Sequence, residues 1–164
     1  MIAQGLATKR LDLIRVMVLS NTAAKIATPV IWQDRIDSIQ ATGIGPVSDT
    51  TMSRWLRPKM QASSAMSPWH NMMHATWPEG YIGCTHAIYG TDFIATTSTL
   101  RFPVMGIAGD HDGSTPPDLV RKTLNLIPES TFHIIRGAGH LPCVEQPKEF
   151  VRLLTSFLES TGHI

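Results

Sequence analysis

Residues 104–112 read Val104-Met105-Gly106-Ile107-Ala108-Gly109-Asp110-His111-Asp112, and residues 131–140 read Thr131-Phe132-His133-Ile134-Ile135-Arg136-Gly137-Ala138-Gly139-His140. Each is a short β-rich run followed by glycine and then by a side chain able to do acid–base chemistry. The first, introduced by Pro103, is apolar on both alternating faces, as in a parallel strand covered by helices on each side. Between the two runs, Ser114-Thr115-Pro116-Pro117-Asp118 leads into Leu119, Val120, Leu124 and Leu126. Their roughly helical spacing predicts a helix opened by a capping hydroxyl and an early proline. Strand, helix and strand make a βαβ unit, which places an α/β fold at this end of the chain.

Further out, Val16-Met17-Val18-Leu19-Ser20 repeats the all-apolar strand pattern. The tail from Pro147 to Glu159 carries Phe150, Val151, Leu154, Phe157 and Leu158, one apolar stripe of a final helix packed on the sheet. The stretch 22–100 differs in character. It holds all four tryptophans (Trp32, Trp55, Trp69, Trp77) and helix-like segments near 28–41, 45–56 and 68–76. An all-helical insertion between two parallel strands reads as a lid, so residues 1–21 with 101–164 form the core and 22–100 the cap. Within the cap, Arg57 to Pro68 is rich in Ser, Pro and Ala and reads as a mobile connection.

Composition bounds the function. The 164 residues are 43% hydrophobic and 16% charged, enough for one globular core. A net charge of +1 with scattered basic residues provides no footprint for nucleic acid. No window approaches a membrane-spanning run, and Met1 to Leu13 lacks a signal-peptide pattern. Cys84 and Cys143 fit neither a disulfide framework nor a zinc site and suit a reducing compartment, so the expected location is cytoplasmic. His70 and His74 are four apart but lack an intervening Glu and a third ligand, which argues against metal. Cys143 is expected to be a buried structural thiol, and the methionines and tryptophans of the cap to be packing residues ahead of pocket lining.

A carboxylate past one strand and a histidine past the next can meet at the carboxyl edge of a parallel sheet. The 28 positions from Asp112 to His140 leave room for a loop, a helix and a returning strand. There the acid would fix the imidazole tautomer and stabilise its charged form, while His140 would take and return a proton. Asp110 competes for the acid's role. Asp112 is preferred because it fills the last position of the Gly-x-x-Asp pattern, leaving Asp110 as a turn or capping residue. A triad needs a nucleophile, and no Gly-x-Ser-x-Gly turn occurs among the 164 residues.

The stretches LSNTAAKI (19–26), RW (54–55), EGYIGC (79–84), AGDHDGSTPPDLVR (108–121) and GAGHLPCVEQP (137–147) together resemble the 3-oxoadipate enol-lactonases, a family of α/β-hydrolases. The resemblance implies a partial α/β-hydrolase fold, its last three parallel strands with flanking helices and a helical lid. It implies hydrolysis of a lactone or carboxylic ester in the β-ketoadipate route of aromatic-compound degradation, without cofactor or metal. The acid and base fall on Asp112 and His140. The family's elbow resembles GLSMGGMIGQGLA where this chain begins MIAQGLA, so the serine is expected about four residues before Met1. Without that serine and its oxyanion hole, the chain alone is expected not to turn over ester or lactone. The substrate's carboxylate would need a cation, for which Arg54 and Trp55 are the candidates, with Arg35 and Lys25 behind them. The bland alternative leaves Arg54 solvated and Trp55 in the core. An incomplete sheet would also expose an apolar edge, open to association with another chain. A related esterase, haloperoxidase or aminopeptidase, or a non-catalytic remnant, is the alternative reading.

Overall fold

The computed structural model describes residues 1–164. Helix α1 (Ile2–Lys9) leads through a 3-10 turn into strand β1 (Met17–Ser20). The chain then stays helical through α2 (Pro29–Thr42), α3 (Ile44–Trp55), α4 (Pro58–Gln61), α5 (Ser67–His74), α6 (Pro78–Tyr89) and α7 (Ile94–Thr97). It returns as β2 (Val104–Gly109), α8 (Pro117–Leu124), β3 (Thr131–Ile135), α9 (Pro142–Glu145) and α10 (Pro147–Ser160). The three strands form one parallel sheet in the order β1-β2-β3, with Met17 beside Val104 and Met105 beside Thr131.

Period-two alternation along β2 separates two cores. Val104 and Ala108 face one side, where they pack with Met17, Leu19, Ala7, Val120 and Leu124 beneath α1 and α8. Met105 and Ile107 face the other, where Ile135, Leu153 and Phe157 meet them from β3 and α10. Each fully buried aliphatic side chain contributes about 1.5–3 kcal/mol relative to exposure. Because β2 alone is covered on both faces and both edges, all six of its residues are buried, whereas the edge strand β3 leaves Ile134 exposed.

The helical region has its own small core of Met52, Leu56, Met66 and Met73. Thr28 opens α2 by accepting the Ile31 amide, with Pro29 in its first turn, and Gly43 at φ +76° ends it. No helix is long and apolar enough to cross a membrane.

Four local expectations differ from the structure. The segment Arg57 to Pro68 is ordered into α4 and a 3-10 turn at Ser64–Met66, because Met66 is anchored in the methionine core. Helix α6 has no counterpart in the sequence reading, since Gly80 and Gly83 weaken its local helix signal. The buried stripe of α10 runs through Leu153 and Phe157, flanked by Phe150, while Val151 is exposed. Cys143 is exposed on the single turn of α9, whose inward positions are taken by Pro142 and Glu145.

Candidate active site

The carboxyl ends of β1, β2 and β3 converge on one carboxylate. Asn21 follows β1 in a left-handed conformation (φ 48°), which asparagine tolerates better than most residues. Asp112 lies three residues past β2, and His140 lies on the loop after β3. Asp112 Oδ2 accepts from His140 Nδ1 at 2.9 Å, Asn21 Nδ2 at 2.8 Å and the Thr115 hydroxyl at 2.7 Å. Its Oδ1 accepts from the amides of Ser114 (2.7 Å) and Thr115 (3.0 Å). The Asp112 side chain is fully buried, which by itself raises its pKa. The hydrogen bond and charge of His140, with the Asn21 and Thr115 bonds, more than reverse that and hold the carboxyl far below its usual range.

An ionised carboxylate only accepts, so the proton of the His140 pair sits on Nδ1. Nε2 makes no hydrogen bond to the protein, and His140 lines two cavities of about 670 and 270 Å³. A histidine held this way has an exposed basic nitrogen ready to accept a proton from a hydroxyl brought to it. Asp110 serves the loop instead. Its Oδ1 accepts the Gly137 and Ala138 amides and pairs with His111. It ties the end of β2 to the histidine loop and does not reach His140.

The helical region grips the Asp112 loop and the His140 loop through the open end of α3, where the last carbonyls lack partners within the helix. Arg54 O accepts the Gly113 amide at 3.0 Å, and Trp55 O accepts the His140 amide at 2.6 Å. The Trp55 ring stacks on the His140 imidazole with centroids 5.3 Å apart. The approach is so close that a Cβ on Gly139 would stand 2.1 Å from Trp55 O, and one on Gly109 would stand 2.1 Å from Gly139 O. Only glycine fits at both crossings.

Arg54 and Arg35 line the smaller cavity with Trp55, Tyr81 and His140. Arg35 donates to the Tyr81 hydroxyl at 3.2 Å and lies over the Trp32 ring, and neither arginine has a carboxylate partner. Burial, then the charge of Arg35, lowers the pKa of Arg54, against an opposing effect of Tyr81, and its buried Nε is unbonded. Lys25 is elsewhere: it pairs with Asp92 at an exposed site. His74 pairs with Asp49.

Sequence reading missed Asn21 and Tyr81 as site residues and took the Ser114–Thr115 pair as a helix cap. Helix α8 has Pro116 at its N-cap with no side-chain bond, and the Thr115 hydroxyl goes to Asp112 instead. A threonine three residues after the acid was the available signal; nothing local marked Tyr81.

No protein-family model matches the chain. It is 29% identical over 137 residues to 3-oxoadipate enol-lactonase 2 of Acinetobacter baylyi, covering 82% of this chain and 51% of that protein. With 3-oxoadipate enol-lactonase 1 of the same organism the identity is 25%, covering 88% and 54%. The chain thus spans about half the length of the curated relatives it matches. Among solved structures, the enol-lactonase from Burkholderia xenovorans LB400 superposes with a TM-score of 0.85 at 25% identity, over 95% of this chain and 60% of that one. A hydrolase from Pseudomonas aeruginosa gives 0.89 at 27% identity, over 96% and 60%. With its parallel sheet, its helical insertion and these relatives, the chain is an α/β-hydrolase-fold relative of the 3-oxoadipate enol-lactonases.

Proposed function

We propose that these residues supply the acid, the base and the anion-binding pocket of a hydrolase acting on a carboxylate-bearing enol-lactone, in aromatic-compound degradation. The observation that carries this reading is the juxtaposition of the Asp112–His140 pair with a cavity holding two arginines that lack any carboxylate partner. A neutral ester would leave both guanidiniums uncompensated. A substrate carboxylate would meet the Arg54 and Arg35 donors while its lactone carbonyl stood near His140.

In the proposed reaction, His140 Nε2 takes the proton of an attacking serine hydroxyl as the oxygen bonds to the lactone carbonyl carbon. The ring C–O bond then breaks, and His140 returns the proton to the leaving enol oxygen. Water, deprotonated by the same nitrogen, attacks the acyl-enzyme and releases the acid and the serine. Asp112 keeps Nδ1 protonated and stabilises the imidazolium throughout. No Gly-x-Ser-x-Gly turn lies among these 164 residues, so the activity proposed is that of the whole hydrolase.

Lactone turnover by the full-length hydrolase tests the pocket. Losing a charge-assisted hydrogen bond worth about 1.5–3 kcal/mol, Arg54→Ala should raise KM roughly 10- to 100-fold for the enol-lactone. It should leave hydrolysis of an uncharged activated ester nearly unchanged. An unaltered KM for the lactone removes Arg54 from the pocket and the carboxylate from the substrate's description.

A further inference from the structure

Glu145 is a buried carboxylate that the proposed chemistry does not use. It closes α9, five residues after His140, and its side chain is inaccessible to solvent. Oε2 accepts the Gly139 amide in a short hydrogen bond. Oε1 accepts the Arg57 amide at 3.3 Å and lies 3.5 Å from Arg57 Nε, an ion pair in which Nε makes no hydrogen bond. Arg57 follows Trp55 by two residues. The Gly139–His140 peptide is therefore held from the helical region at two neighbouring points: directly, by Trp55 O on the His140 amide, and through Arg57 and Glu145 on the Gly139 amide.

Burying a carboxylate is costly unless its partners are well placed. An apolar side chain would fill the same space more cheaply, but it would leave the Gly139 amide without an acceptor. The other polar groups of this loop are also claimed. Asp110 takes the Gly137 and Ala138 amides, Gln146 donates to Gly137 O, His111 N to Ala138 O, and Asn21 to Gly139 O. Only the Glu145 and Trp55 bonds connect the loop to the helical region, and only Glu145 does so through a charged side chain that can let go.

We propose that Glu145 is a positioning residue: it locks the Gly139–His140 peptide and, through Arg57, makes the orientation of His140 depend on the helical region being seated on the core. This rests on His140 being the base. When the end of α3 lifts, the Arg57 contacts break first, Glu145 loses its counter-charge, and the Nδ1–H bond to Asp112 loosens.

The test is NMR on the 164-residue chain, following solvent exchange of the His140 Nδ1 proton and the pH titration of its ring, with circular dichroism to verify folding. Glu145→Ala should speed Nδ1 exchange roughly tenfold or more, as expected when a buried donor is orphaned. Glu145→Gln keeps an acceptor for Gly139 and should restore most of the protection. Arg57→Met, which keeps the stem and removes the charge, should move exchange in the same direction by a smaller factor. A merely structural role would lower the melting midpoint without these site-specific changes. The proposal is overturned if folded Glu145→Ala keeps exchange and titration within about twofold of the parent, or if Glu145→Gln behaves no better than Glu145→Ala. Should Glu145→Ala not fold, Arg57→Met decides: faster exchange supports the coupling, and parental exchange refutes it. A failure of the Arg54 test would leave these readouts untouched, so the two ideas fail separately.

Discussion

Asp112→Asn changes one atom in the most densely bonded carboxylate of the chain. Oδ1 receives two backbone amides, from Ser114 and Thr115, and Oδ2 receives Asn21, Thr115 and His140. If the new amide nitrogen takes the Oδ1 position, it faces two N–H groups that cannot turn away. If it takes the Oδ2 position, the Thr115 hydroxyl can rotate, Asn21 can turn its amide and His140 can change tautomer, each giving up a partner it now has. Either way about two donors are left poorly paired, at roughly 1–3 kcal/mol each, so the expected loss is about 2–6 kcal/mol. Urea denaturation near neutral pH measures it. Because the fold holds the Asp112 carboxyl well below its usual range, its contribution is complete above the unfolded-chain value near 4 and is lost as pH falls toward the folded value. The gap between parent and variant should therefore narrow from about pH 5 to about pH 2.5. A loss under about 1 kcal/mol, or a gap that stays constant over that range, would refute the account of the carboxylate as an ionised hub.

Gly139→Ala must push apart the Gly139 peptide and Trp55 O, since its Cβ would lie 2.1 Å from that oxygen. Breaking the His140–Trp55 and Gly139–Glu145 bonds should cost about 3–5 kcal/mol in thermal or urea unfolding. A variant within about 1 kcal/mol of the parent would show that the crossing is looser than described. Gly83→Ala lies in the exposed interior of α6 with open space around its Cβ. It should stabilise by about 0.5–1 kcal/mol, and a destabilised variant would count against this course of α6.

The strands were legible because β2 is apolar at every position, and a chain with helices on both faces of a sheet has no other way to bury such a run. Val104-Met105-Gly106-Ile107-Ala108 therefore shows up locally, Thr131-Phe132-His133-Ile134-Ile135 is marked by its β-branched and aromatic residues, and the glycines after them mark where the chain turns toward its polar residues. The segment from Arg57 to Pro68 was illegible for the opposite reason: its order comes from Met66 meeting Met52, Leu56 and Met73, a contact that local composition does not encode. Helix α6 was hidden by its glycines, yet it delivers Tyr81 to the arginines.

By itself the sequence determined the parallel α/β scaffold, the helical interruption and the two loops that carry Asp112 and His140, because periodicity and glycine punctuation are written into neighbouring residues. The partners were decided by tertiary structure alone. Asn21 and Thr115 on Asp112, Trp55 on His140, Glu145 between Arg57 and Gly139, and two uncompensated arginines in one cavity all depend on side chains far apart in sequence meeting in space. The ionisation and orientation of a buried polar group are set by what surrounds it, and those surroundings come from every element at once.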